Sequence, residues 1–221
     1  MSPSQEEVRV AVRRGRPRDE AARSRVVQAA IELFERQGYV ATTVGDIAAA
    51  AQTAVQTVYS AYGSKVGVLA AAHDVALAGD EEPVPIAERE WFRALAEAST
   101  AAEAWRCALE QMQMSTARVA PIYTAMMAAE ADPDVAALMR SLRAQRAEFS
   151  RLLVDQVAGR PGGEQVDRAR VADLVYATES VESYSLLVTQ CGWSREQWRD
   201  WVHDLVALEL RRDAGRPQDA D

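Results

Sequence analysis

Apolar side chains recur along this chain with a period near 3.6 rather than 2. Val26, Ala29, Ala30, Leu33 and Phe34 fall at i, i+3, i+4, i+7 and i+8, a single stripe on an α-helix. The stripe predicts a first helix over 19–37, with Asp19 and Glu20 in the first turn, where the helix dipole favours acids, and Gly38 as its stop. Thr43 followed three residues later by Asp46 is a capping-box variant that starts a second helix, with Ile47 and Ala48 facing inward. A third, short helix is expected over 54–60. A fourth should run from Ser64-Lys65 to about Gly79 through Val66, Leu69, Ala70, His73 and Leu77. Asp80-Glu81-Glu82-Pro83-Val84-Pro85 cannot continue a helix and marks the clearest boundary.

Beyond that boundary helical patterns follow over 86–98, 101–119, 121–131, 134–158, 167–190 and 194–212. Pro121 and Pro133 suit first-turn positions, 159–163 reads as a flexible loop, and Ser194 caps the last helix. No strand pattern or internal repeat is visible. The predicted fold class is all-α, with a three-helix N-terminal unit ahead of a larger helical domain.

Composition sharpens this picture in three ways. With 221 residues the chain is long enough for a buried core, and no run of eighteen apolar residues is present to span a membrane. The N-terminus carries charge without the apolar segment of a secretory signal, so a cytoplasmic protein is expected, with Cys107 and Cys191 as buried, reduced thiols. The net charge of −8 hides an asymmetry. Residues 1–65 hold nine Lys and Arg against seven acids, and residues 66–221 hold sixteen against twenty-six. A locally basic tip on an acidic body is compatible with DNA binding, which depends on local phosphate neutralisation. Residues 1–18 read as a flexible arm ending in Arg13-Arg14-Gly15-Arg16-Pro17-Arg18, whose Arg14 and Arg16 suit a minor groove or phosphates. With two His, no metal-ligand spacing and no Gly-rich phosphate loop, no catalytic residue, metal site or cofactor is expected.

Three short helices within about 45 residues, the last carrying small polar and aromatic side chains, are what a helix-turn-helix DNA reader requires. The matching residues are Ala29-Ala30, Leu33-Phe34, Gly38-Tyr39, Thr42-Thr43-Val44, Asp46-Ile47-Ala48 and Ala51, then Thr57-Val58-Tyr59, Tyr62, Ser64-Lys65 and Leu69. In this order and spacing they resemble the tetracycline-repressor (TetR) family of bacterial regulators. Gly192-Trp193-Ser194 through Trp201 is similar to the last helix of many members. The resemblance implies an N-terminal DNA-binding domain and a C-terminal domain that binds small molecules and dimerises. The expected divisions are an arm over 1–18, the reader over 19–64, a connecting helix over 65–80, the ligand-binding and dimerisation domain over 81–212 and a disordered tail over 213–221. One departure stands out. Where the family usually has Gly-Val-Ser, this chain has Gln52-Thr53-Ala54, which puts Gln at a turn suited to positive φ and leaves Thr53 as the substitute cap.

On the third helix, Val55 and Gln56 occupy the positions most open to a major groove, where Gln pairs with adenine and Val meets a thymine methyl. Thr53 and Thr57 offer hydroxyls to bases or phosphates. The resemblance implies backbone contacts for Tyr59 and Lys65, and Thr43 sits at a helix N-terminus that welcomes a phosphate. A palindromic double-stranded operator read by a homodimer follows. For the dimer surface the candidates are Tyr184, Trp198, Trp201, Val202, Leu205 and Leu208, residues that equally suit an intramolecular core. A pocket for a small apolar or amphipathic effector draws on His73, Trp91, Trp105, Met112, Arg118, Tyr123, Met126, Met127, Tyr176 and Glu179, most of which also suit a core. The effector-released repressor has one alternative, a ligand-independent repressor or activator whose C-terminal domain only dimerises.

Overall fold

The computed structural model describes residues 17–82, 84 and 88–212; the Arg14 and Arg16 arm and the 213–221 tail lie outside them. Among the described residues all regular structure is helical. It comprises α1 (Pro17–Ala41), α2 (Val44–Ala50), α3 (Val55–Tyr62), α4 (Lys65–Ala78), α5 (Glu90–Glu97), α6 (Ala101–Ala128), α7 (Pro133–Ala158), α8 (Arg168–Thr178), α9 (Val181–Tyr184, continued as a π-helical turn over Ser185–Gln190) and α10 (Arg195–Arg212).

The α1 stripe is buried as its periodicity requires, with Val26, Ala30 and Phe34 at 1% exposure or less. The expected stop at Gly38 is a kink: Gly38 takes φ 79°, and the chain coils on to Ala41. Buried Thr42 closes the kink by donating its hydroxyl to the Gly38 carbonyl at 2.8 Å. The capping box of α2 forms in full. Thr43 Oγ1 accepts from the Asp46 amide at 3.1 Å, and the Asp46 carboxylate accepts from the Thr43 amide at 2.9 Å. Helix α4 starts at the Ser64 cap, whose hydroxyl accepts from the Gly67 amide, and ends at left-handed Gly79.

Several expectations need correction. Thr53 does not cap α3; Ala54 occupies the cap position and supplies no side-chain acceptor. The predicted helices 101–119 and 121–131 are one helix, α6, which runs straight through Pro121. The reason is tertiary: Pro121 faces solvent, so its missing donor falls on the outer face, while Ile122, Tyr123 and Met126 continue the buried inner face. The predicted helix 167–190 breaks at Glu179-Ser180. There the Ser180 hydroxyl accepts from the Ser183 amide at 3.0 Å and opens α9. Cys107 and Cys191 are free thiols as expected but exposed, not buried.

Helices α1, α4 and α6 pack on one another, and a single apolar cluster continues from Phe34 and Leu69 through Trp105 to Met126, Leu153 and Val175. Helix α7 lies along α8, and α10 rests on α6 and α8. No helix among the described residues is long and apolar enough to cross a membrane.

Gln52, in the α2–α3 turn, has φ 51°, a left-handed conformation that costs a side-chain-bearing residue about 1 kcal/mol. Gln52→Gly should therefore raise stability by about 0.5–1 kcal/mol, seen as a melting temperature about 1–4 °C higher by circular dichroism. An unchanged or lower value would show that the turn is unstrained.

Candidate nucleic-acid interface and helical-domain cavity

Helix α3 is held by one side and open on the other. Val58 is 1% exposed in the core, while Val55 (42%) and Tyr59 (46%) stand out, and Gln56 and Thr57 are exposed beside them. A short helix anchored through one valine and presenting an amide, a hydroxyl, a methyl-bearing side chain and a phenol is equipped to enter a groove. Two braces that sequence reasoning missed fix it on α1. The Tyr62 hydroxyl donates to the Arg23 carbonyl at 3.1 Å, and Arg25 Nε donates to the Ala51 carbonyl at 3.2 Å, just ahead of the turn.

The other candidates for this surface are more constrained. Thr43 is exposed, but its hydroxyl also donates to Asp46 at 2.8 Å, which sets a carboxylate beside the α2 N-terminus. Thr53 is half-buried. Lys65 is half-buried with its ammonium 4.0 Å above the Tyr39 ring, and burial pulls its pKa below the usual lysine range while Asp132 partly offsets that.

Away from the reader, a cavity of about 550 Å³ lies between α4, α6, α7 and the α8–α9 break, with Asp80, Glu81 and Glu82 of the acidic connector in its lining. Of the predicted pocket residues, His73, Trp91, Met112, Tyr123 and Glu179 line it. Trp105 and Met126 are core, at 1% and 0% exposure, and Met127 packs partly buried against that core. Tyr176 lies under the Arg146 guanidinium, 4.4 Å from it. Arg118 is not a pocket anchor. It donates to the carbonyls of Ala76, Leu77 and Ala78 at 3.1–3.3 Å and so caps the C-terminal end of α4 with a cation. The close fit depends on Gly79, where an added Cβ would lie 2.9 Å from the guanidinium carbon.

Three lining groups that sequence reasoning missed, Arg146, Arg89 and Thr116, become visible only once α7 and the connector fold over. Arg146 donates to Glu182 at 2.9 Å, and the Tyr123 hydroxyl donates to the same carboxylate at 3.0 Å. Burial pushes Glu182 up, but these hydrogen bonds and the Arg146 charge leave it below the usual carboxylate range. Arg89 grips Asp80 through both terminal nitrogens, at 2.6 and 3.0 Å, and holds that carboxyl down to about 2. Glu179 is the exception. It is 5% exposed, neither carboxyl oxygen has a hydrogen-bond partner among the described residues, and burial pushes it up to about 8.

The predicted dimer residues divide. Tyr184, Trp198 and Val202 are intramolecular core, at 7%, 1% and 0% exposure. Tyr184 and Trp198 meet edge to face at 5.2 Å, with the Trp198 indole N–H donating to Ser183 Oγ at 3.2 Å. Trp201 and Leu205 are half-buried, and Leu208 is exposed.

Comparison with known proteins agrees with this layout. Residues 26–72 match the family described as bacterial regulatory proteins, tetR family. Solved structures share the fold along most of the chain. A protein from Syntrophomonas wolfei str. Goettingen assigned to the TetR-family transcriptional regulators is 14% identical, with 87% of this chain and 96% of that one covered and a TM-score of 0.65. NalD from Pseudomonas aeruginosa, the secondary repressor of the MexAB-OprM multidrug efflux pump, is 15% identical over 90% and 100%, with a TM-score of 0.62. A TetR transcriptional regulator from Chloroflexus aurantiacus J-10-FL is 20% identical over 89% and 97%, with a TM-score of 0.57. No curated protein sequence matches. Residues 26–72 are thus a segment of the tetR family of bacterial regulatory proteins, and the chain around them shares the fold of solved TetR-family regulators.

Two outcomes follow from these contacts. Arg118→Ala and Gly79→Ala should each destabilise by about 1–3 kcal/mol in urea unfolding, and the double variant should cost about 1 kcal/mol less than their sum because both break one clamp. Strict additivity would refute the clamp. Glu179 ionises near its ordinary 4.5 when unfolded but only near 8 when folded, so its contribution is intact below pH 4.5 and is lost as pH rises towards 8. Glu179→Gln should therefore match the parent near pH 4.5 and exceed it progressively up to pH 8, by at most about 1.4 kcal/mol per pH unit. A constant difference across that window would contradict the buried acid.

Proposed function

We propose that this protein is a TetR-type transcriptional regulator, a one-component repressor that binds a palindromic operator as a homodimer and is released by a small effector in the helical-domain cavity. The observation that carries the reading is the shared wall. Helix α4 follows α3 after only Gly63 and the Ser64 cap, and lines the cavity with His73 and Leu77. An occupant that favours one tilt of α4 changes the separation of the two reader helices, and shifts the equilibrium only by its differential affinity for the two tilts. Gln56 and Val55 read base edges, Thr57, Tyr59 and Lys65 set register on phosphates, and Arg14 and Arg16 enter the neighbouring minor groove. The reader spans 19–64, α4 is the connecting helix of 65–80, and 81–212 holds the effector and the partner subunit. The α10 face around Trp201, Leu205 and Leu208 supports the dimer, since Trp201 and Leu205 are only half-buried and Leu208 is 51% exposed while Trp198, Val202 and Val206 of the same helix are sealed in the core.

The ligand-independent alternative requires a filled core. A cavity of about 550 Å³ walled by aromatic and thioether groups favours an effector, for which such volumes are typical. NalD, of the same fold, is a named repressor, which supports repression over activation.

Selection from a random DNA pool with the full chain should enrich a palindrome. Gln56→Ala combined with Tyr59→Ala should weaken binding to that site by about a hundredfold or more, with the helical circular-dichroism signal retained. Retained affinity in that double variant would remove α3 as the reader.

A further inference from the structure

Glu179 sits where a carboxyl has no structural reason to be. It forms the C-terminal cap residue of α8 at the break, and its own amide is satisfied by the Val175 carbonyl at 2.9 Å. Its side chain adds no cap, no ion pair and no hydrogen bond among the described residues. Leaving an acid desolvated and unpartnered costs stability, and a methionine would fill the space without that cost.

Every basic side chain on the cavity wall among the described residues already faces a carboxylate other than Glu179. Arg146 is paired with Glu182 and stacked on Tyr176, and Arg89 is locked to Asp80. His73 faces the neighbouring Asp74 carboxylate at 3.2 Å. The connector adds Glu81 and Glu82 to the lining, so the wall has an excess of negative charge. Trp91, Phe149 and Tyr123 line the same cavity as Glu179, and aromatic π-faces attract a cation. An anion would meet an acidic wall and a buried carboxyl. A neutral ligand would leave that carboxyl's charged form unused.

We propose that the cavity takes a singly charged organic cation with an aromatic body, its positive centre against the Glu179 carboxylate and its rings among Trp91, Tyr123 and Phe149. This rests on the reading of the cavity as the effector site, and names the class of effector. In the empty protein the carboxyl holds its proton at neutral pH. On arrival of a permanently charged ligand that proton leaves to the buffer and the carboxylate becomes the ion partner, so charge in the site is conserved. Below pH 8, affinity then rises about tenfold per pH unit with release of one proton. Glu182 titrates lower, being held by Arg146 and Tyr123, and Asp80 lower still under Arg89.

The test uses three probes of one shape: pyrenylmethyl-trimethylammonium, neutral pyrenemethanol and anionic pyreneacetate. Each is titrated calorimetrically into the full chain at pH 6, 7 and 8, in buffers of different ionisation enthalpy, and then into the complex with the selected operator. The cation should bind at least tenfold tighter than the alcohol at pH 8, and the acetate weakest. Cation affinity should climb about tenfold per pH unit, with close to one proton released at pH 6 and 7. Glu179→Gln, which is expected to fold at least as stably at neutral pH, should reduce cation affinity tenfold or more, abolish proton release and leave the alcohol within about threefold. The pH profile should survive His73→Gln, which assigns it to Glu179. Equal affinity for cation and alcohol, or a cation affinity indifferent to Glu179→Gln, would overturn the cation assignment. If the alcohol then binds and frees the operator, the effector cavity itself stands. Conversely, Glu179-dependent cation binding that leaves operator affinity unchanged would support the assignment and defeat the release mechanism. Failure of all three probes to bind would sink both.

Discussion

The packing of α4 between α1 and α6 is the constraint on which the rest of this structure depends. Val68, Leu69 and Ala72 are each 0% exposed, so the helix has no freedom to slide without opening the core on two sides. Its two ends are fastened by different chemistry: a serine hydroxyl at the reader end, and an arginine guanidinium on the last carbonyls at the other. A close-packed element of this kind moves as a unit or not at all. Under the proposed release it is the element that carries a change at the cavity to α3, which is held by buried Val58 and the Tyr62 brace, with the Arg25 brace on the Ala51 carbonyl just ahead of it.

The cavity is where this protein departs from maximal stability. Filling a space of about 550 Å³ with side chains, or exchanging Glu179 for a neutral group, would strengthen the fold. The opposite choice at one place, against careful pairing of Arg146 with Glu182 and Arg89 with Asp80 on the same wall, is what separates a site from a packing defect. A buried acid kept without a partner is an unfilled valence of the structure, and the chemistry that would fill it is specific.

Much of the architecture was legible in the amino-acid pattern because it rests on local rules. The α1 stripe, the Thr43–Asp46 capping box, the Ser64 cap and the Gly79 stop each need only a few consecutive residues, and each forms where expected. The exposed reading face of α3 followed from the same periodicity, and the strained turn at Gln52 from the absence of glycine there. Where local rules failed, a long-range contact overrode them. Pro121 does not end α6 because buried Ile122, Tyr123 and Met126 hold the inner face together across it. The continuous pattern over 167–190 hid a break, although Ser180 three residues before Ser183 was a readable cap signal.

Composition and period thus determined that the chain is helical, which N-terminal segments form its first helices, and which short segment presents an exposed polar and aromatic face, since these depend on hydrogen bonds and side-chain spacing within one turn or two. Which aromatics became core and which became wall was decided only by tertiary packing. Trp105, Trp198 and Trp91 occupy similar local patterns, yet the first two are sealed and the third lines the cavity. Arg118 and Glu179, both pocket candidates by sequence, were parted: the cation found the carbonyls of a helix distant in sequence, and the acid lines the cavity with no hydrogen-bond partner among the described residues. Neither outcome is written in neighbouring residues, because each depends on how segments forty or more residues apart exclude water together.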